Sequence, residues 1–185
     1  MAQSDVRTAF SKHSARLGST PRVFLGLGSN LGNRSAHVSE AVLHLEEMGI
    51  LTIQCSSLYE TQPVEVTDQP DFINLASEVQ TQLKAEILLE TCLLVERKMG
   101  RLRREPKGPR IVDIDILFYG QEIWHSRQLS IPHPAIAQRR FVLVPMVEIA
   151  PDFQDPVSGF TMKSLLEHCP DHSSVRRLQT RPTDD

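Results

Sequence analysis

The chain has 185 residues, enough for one domain with a substantial core. Lysine and arginine number 20 against 23 aspartate and glutamate, a net charge of −3, which argues against the broad basic surface of a general nucleic-acid binder. The cysteines Cys55, Cys92 and Cys169 show no Cys-x-x-Cys or zinc spacing, so a reduced, cytoplasmic setting is expected, and no apolar run is long enough to span a membrane.

Residues 1–21 carry Arg7, Lys12 and Arg16 against one acid, Asp5, together with several serines. This faintly matches an organelle transit peptide, and a plain flexible tail is the favoured reading. Val23 to Ser29 reads as a first strand running into a turn. Gly26, Gly28 and Gly32 give a G-x-G-x-x-x-G spacing. That spacing suggests a dinucleotide turn, but no acid follows at the end of a second strand, so a tight reversal is expected instead. Asn33 is placed to cap a helix from Arg34 to Met48 with Gly49 as its stop, and Val38, Val42 and Leu45 recur at helical spacing. A second strand is expected over Ile50 to Tyr59. The polar loop Glu60 to Pro70 follows, long enough for a lid. In the third strand, Asp71 to Gln80, Ile73, Leu75 and Val79 take the core face. Phe72 and Asn74 take the other, where a ring and a carboxamide suit a flat heterocycle. Ala85 to Met99 reads as a second helix with Leu88, Leu89, Cys92 and Val95 inward.

The next stretch carries the chemistry. Arg97, Lys98, Arg101, Arg103, Arg104, Lys107 and Arg110 crowd together, countered only by Glu96 and Glu105. Gly108, Pro109 and Arg110 then feed an apolar strand interrupted by Asp113 and Asp115. Alternate residues share a strand face about 7 Å apart. Two like charges there repel, and a divalent cation between them removes the problem, which makes the pair a candidate Mg²⁺ site. A cationic loop leading into it suits a polyphosphate. Glu122 to Trp124 is expected as a short strand, and Ile131-Pro132-His133-Pro134 as a rigid extended segment. Short helices are expected over Phe141 to Ile149, despite Pro145, and over Met162 to His168. Residues 171–185 are expected as a flexible tail.

The order strand, helix, strand, strand, helix, strand predicts an α+β, ferredoxin-like βαββαβ sandwich over residues 22–170, with extra C-terminal elements walling the open sheet face. The residues alone leave three readings: a phosphoryl-transfer enzyme, a metal-dependent phosphohydrolase or nuclease, and a non-catalytic RNA- or ligand-binding module.

Taken together, Gly28-Ser29-Asn30-Leu31-Gly32, Leu58-Tyr59-Glu60-Thr61, Asp68-Gln69-Pro70-Asp71-Phe72-Ile73-Asn74, Gly100-Arg101, Gly108 to Leu117, Ile131-Pro132-His133-Pro134 and Arg139 to Phe141 resemble the 6-hydroxymethyl-7,8-dihydropterin pyrophosphokinase family, in the family's order. The resemblance implies the sandwich fold, ATP as co-substrate, 6-hydroxymethyl-7,8-dihydropterin as acceptor, and two Mg²⁺ ions held by Asp113 and Asp115. It implies that Glu96, Arg101, Arg103, Arg110, His133 and Arg139 bind ATP, with Arg101, Arg110 and Asp115 catalytic. Thr61, Val64, Phe72, Asn74 and Phe141 would bind the pterin. Lys107 stands where many relatives carry tryptophan. No nucleic-acid or membrane partner is expected, nor room for a second folate enzyme, and the chain is expected as a monomer or weak dimer.

Overall fold

Alternation and helical stripes in the sequence become two layers packed on one antiparallel sheet. The computed structural model describes residues 21–64, 68–101 and 108–179. Its first elements are β1 (Val23–Ser29), α1 (Arg34–Glu47), β2 (Leu51–Cys55), β3 (Tyr59–Thr61) and β4 (Phe72–Gln80). They are followed by α2 (Ala85–Lys98), β5 (Asp113–Tyr119), β6 (Trp124–His125) and β7 (Ser130–Ile131). The last elements among the described residues are α3 (Arg140–Ile149), α4 (Met162–Glu167) and β8 (Val175–Arg177). Among the described residues no helix is long and apolar enough to cross a membrane.

In the main sheet β1 lies between β5 and β4, antiparallel to both. β2 and β3 pair with successive stretches of β4, and β8 adds outside β3. The expected single strand from Ile50 to Tyr59 is therefore two strands. Serine side chains cause the break by replacing ladder bonds with their own. Ser56 Oγ accepts from Ala76 N–H at 3.0 Å, and Ser57 donates its N–H and its hydroxyl to Glu148, each at 2.8 Å. The C-terminal tail expected to be flexible from 171 instead contributes β8, whose partner is the free edge of β3. Trp124 pairs with Ile131, so the short strand after Gly120 is one arm of a hairpin.

One sheet face buries Val23, Leu25, Leu27, Ile73, Leu75, Val79, Ile114 and Ile116 against Val38, Ala41, Val42 and Leu45 of α1 and Leu88, Cys92 and Val95 of α2. Each such aliphatic side chain stabilises the fold by about 1.5–3 kcal/mol. Asn33 caps α1 by accepting from Ala36 N–H at 3.3 Å, and Gly49 stops it at φ 79°. The opposite face carries a second core. Phe24 and Phe118 there meet Phe153 edge-to-face at centroid distances of 4.8 and 5.0 Å, beneath Leu143 and Met146 of α3 and Met162 and Leu165 of α4. A register shift between β1 and β5 lets neighbouring Leu117 and Phe118 both join it. This core covers only part of its face. Beyond it, toward the Phe72 and Asp113 ends of their strands, the sheet is left open.

Candidate active site

The open part of the sheet is the floor of the site. Gly28 stands between Asp113 on β5 and Asn74 on β4, and Gly26 stands between Asp115 and Ala76. All six positions face the same way, so the glycines leave a trough between the carboxylates and the carboxamide. Strands are about 4.8 Å apart, which puts the Asp113 and Asn74 backbones about 10 Å apart across β1. The glycine pattern divides between the expected first strand and the turn after it. Gly26 and Gly28 are strand residues, and of the three only Gly32 has a positive φ, 62°. A Cβ on Gly28 would lie 2.6 Å from Asn74 Oδ1.

Over this floor lies a cavity of about 560 Å³, the size of a small-molecule site. Phe72 and Asn74 form one part of its wall, with Thr61 and Val64 from the end of β3 and the loop beyond it. Asn74 Nδ2 donates to Thr61 Oγ1 at 2.7 Å, which fixes the carboxamide orientation. Phe141, at the start of α3, closes the same region. Pro145, one turn on, has no N–H to give the Phe141 carbonyl. Asp113, Asp115, Arg101, Arg110, His133 and Arg139 make the rest of the wall. Arg110 links the two regions, its guanidinium carbon 5.3 Å from the Phe72 ring centroid.

Like-charge repulsion between Asp113 and Asp115 is the expectation, and the geometry resolves it unevenly. Asp113 Oδ1 accepts from Arg101 Nη1, and Asp113 Oδ2 lies 3.0 Å from Arg110 Nε. Asp113 is therefore compensated. Asp115 is pushed up to about 7, first by burial and then by the charges of Asp113 and Glu96. Hard oxygen donors on adjacent same-face positions, one of them a carboxylate short of cations, fit a Mg²⁺ ion that completes its shell with phosphate oxygens. Among the described residues no cluster of three or more histidine, cysteine, aspartate or glutamate side chains offers an all-protein metal cage.

Glu96 departs from its expected place. It is 2% exposed and does not line the cavity. Instead it accepts from Ile114 N–H at 2.9 Å and pairs with Arg101 Nη1. It holds the strand segment between the two aspartates and steadies the arginine in front of it. Arg103 lies outside the described residues, as do Arg104 and Lys107. Every other predicted site residue borders the one cavity.

The sequence also contained a residue whose part was not recognised. Asn30 is 1% exposed and hydrogen-bonds both ways. Its Oδ1 accepts from Arg110 N–H at 2.8 Å, its own N–H donates to Arg110 C=O at 3.2 Å, and its Nδ2 donates to Gln69 Oε1 at 3.0 Å. The sequence signal is an asparagine directly after a glycine-rich strand, and its burial explains why its polar atoms are paired. It ties the exit of the basic segment to the loop before Phe72.

Residues 24–151 match the family model for 7,8-dihydro-6-hydroxymethylpterin-pyrophosphokinase. A Methylorubrum extorquens protein named 2-amino-4-hydroxy-6-hydroxymethyldihydropteridine pyrophosphokinase is 40% identical over 159 residues, 85% of this chain and 99% of that protein. A Synechocystis protein of the same name is 42% identical over 144 residues, 77% of this chain and 73% of its own. The folic acid synthesis protein fol1 of Pneumocystis carinii is 43% identical over 150 residues, which make up 81% of this chain and 20% of that much longer protein. Among solved structures, wild-type Plasmodium falciparum HPPK-DHPS aligns with a TM-score of 0.64 at 18% identity, over 81% of this chain and 45% of that one, a likeness of fold. On this evidence the chain belongs to the 7,8-dihydro-6-hydroxymethylpterin-pyrophosphokinase family.

Proposed function

We propose that this cleft transfers pyrophosphate from ATP to 6-hydroxymethyl-7,8-dihydropterin, giving AMP and the pterin diphosphate in folate biosynthesis. The activity follows from the family, and most directly from a relative matched over 99% of its length that is named for this reaction. The observation that carries the reading is convergence. A ring-and-carboxamide region and a carboxylate-and-arginine region border one cavity, joined by Arg110.

In this reading the pterin stacks between Phe72 and Phe141, and Asn74, held by Thr61, hydrogen-bonds its polar edge. Val64 packs beside it. ATP lies along Arg101, Arg110, His133 and Arg139, with Arg103 in the same group, while Glu96 serves by positioning Arg101. The hydroxymethyl oxygen attacks the β-phosphorus and AMP departs. Asp113 and Asp115 would hold two Mg²⁺ ions, which would supply neutralisation of the phosphate charge. Arg101 and Arg110, paired with Asp113 in this structure, turn to the phosphate oxygens and absorb charge that grows as the bond breaks. Asp115, which lines the cavity, is the candidate proton acceptor for the hydroxymethyl group. Orientation within the walled cavity supplies much of the remaining acceleration.

The fold reading is completed in the same terms. Counting β2 and β3 as one interrupted strand, the sheet order β5-β1-β4-β2/β3 supports the ferredoxin-like βαββαβ description. Residues 22–170 form the pyrophosphokinase domain, extended by β8. The slightly acidic charge speaks against a nucleic-acid partner, and the unpaired cysteines suit a cytoplasmic setting.

The test is AMP release from ATP and Mg²⁺. AMP is expected only when the pterin is present. Phosphate release without pterin supports a hydrolase, and no turnover supports a binding module. Asn74→Ala is expected to weaken pterin binding by about 1–3 kcal/mol while ATP binding holds, measured by calorimetry. Equal losses for both ligands contradict the Asn74 assignment. Gly28→Ala is expected to copy the defect, because the added methyl displaces the Asn74 carboxamide from Thr61. A loss of order tenfold in pterin affinity, with ATP affinity unchanged, is the anticipated result.

A further inference from the structure

The helix that delivers Phe141 has no cap of its own. Arg139, the residue before α3, makes no side-chain cap hydrogen bond. The N–H of Arg140 is instead met from far along the chain, by Asp171 Oδ2 at 2.9 Å. The other carboxylate oxygen accepts from Ser173 N–H at 2.8 Å, so the cap is itself held in place. Burial pushes the Asp171 carboxyl up, but the hydrogen bonds from Ser173 and from the Arg140 N–H outweigh it and hold the group below the usual range, so the cap is charged at neutral pH.

Two residues beyond Ser173 the same segment becomes β8. Val175 stands opposite Thr61, and Thr61 in turn stands opposite Phe72. Arg176 pairs with Glu60. The far end of α3 is tied to the same place, since Glu148 takes hydrogen bonds from Ser57, from Tyr59 Oη at 3.0 Å and from Arg177 at 3.2 Å. One short C-terminal segment thus joins the strand that carries Thr61 to both ends of the helix that carries Phe141.

We propose that Asp171 is a positioning residue for the pterin: by capping α3 from the C-terminal segment it sets Phe141 at a fixed spacing from Phe72 and Thr61. This rests on the reading of Phe141 and Phe72 as the pterin's stacking pair. ATP has several other anchors in the cavity, so the effect of Asp171 falls mainly on the pterin.

The experiment measures pterin and ATP affinity for the full chain carrying Asp171→Ala, Asp171→Asn, Phe141→Ala, or Asp171→Ala with Phe141→Ala. Loss of a cap corresponds to about a tenfold weakening of pterin binding in Asp171→Ala, against a smaller change for ATP. Asp171→Asn retains an acceptor oxygen and is expected to recover most of the affinity. In the Phe141→Ala background Asp171→Ala should have no further effect on pterin, because the residue it positions is gone. Should Asp171→Ala fail to fold, Asp171→Asn compared in both backgrounds carries the same test through its smaller loss. Equal losses for both ligands, or a full Asp171 effect that persists without Phe141, overturn the proposal. Wild type that binds no pterin overturns the underlying reading, whereas wild type that binds pterin with both Asp171 variants unchanged overturns this proposal alone.

Discussion

Asp115→Asn is expected to abolish turnover while raising the melting temperature of the metal-free protein. The carboxylate is half-buried beside Asp113 and Glu96, and its folded value of about 7 lies above the ordinary 3.8. Between those values the native state binds more protons than the unfolded chain, so this group makes stability fall as pH rises through that window. Above about pH 7 the destabilisation is fully present, and it is absent near pH 4. The asparagine variant lacks it. Its advantage should therefore be largest at pH 8, of order several degrees, and should disappear in acid. Turnover with saturating Mg²⁺ should nevertheless fall about a thousandfold or more, since several kcal/mol of phosphate-charge stabilisation are lost. Asp113→Asn should behave differently. It removes a carboxylate that faces two guanidinium groups, that of Arg110 and that of Arg101, which keeps only Glu96 of its two described partners, so activity and melting temperature should fall together. Melting curves at pH 5 and pH 8, paired with AMP formation, check all of these outcomes. A lower melting temperature for Asp115→Asn at pH 8 would mark the residue as structural.

Arg110→Ala carries the second large effect. A preorganised donor aimed at transition-state charge contributes about a hundred- to a thousandfold in rate, and that loss in kcat is expected here. Lysine should not restore it, because an ammonium cannot reproduce the planar fork that meets Asp113 and lies over Phe72. The backbone at 110 should stay in place, because Asn30 grips its N–H and C=O rather than its side chain. Arg110 is a cleaner probe than Arg101, whose removal also disturbs the buried Glu96 it pairs with. Single-turnover kinetics checks the chemical step. A variant that loses only ATP affinity would place Arg110 in ground-state binding alone.

Local pattern carried a large part of this site. The alternation of Ile73 and Leu75 against Phe72 and Asn74 gave the core face and the cleft face of β4, because side-chain direction in a strand depends only on its own sequence. The same rule placed Asp113 and Asp115 together. What lay beyond reach depended on who sits across a strand. Gly26 and Gly28 could not be recognised as the trough floor without the register that sets them between Asp115, Asp113, Ala76 and Asn74. Glu96 looked like a ligand contact because it is charged and adjacent to the basic run, yet its helix turns it into the core beneath Ile114. The break at Ser56 and Ser57 and the pairing of β8 both depend on long-range partners, Glu148 and the edge of β3. No periodicity in those short polar segments announces either.

The most direct measurement follows the phosphorus atoms. Wild-type protein is incubated with Mg²⁺, 6-hydroxymethyl-7,8-dihydropterin and ATP labelled at the β-phosphate, and the products are separated and identified by mass. The cleft described here predicts that the β-label leaves ATP together with the γ-phosphate and is recovered on the pterin as a diphosphate, with AMP formed in equal amount. ADP with a pterin monophosphate, or label released to water at the same rate with and without pterin, would contradict it.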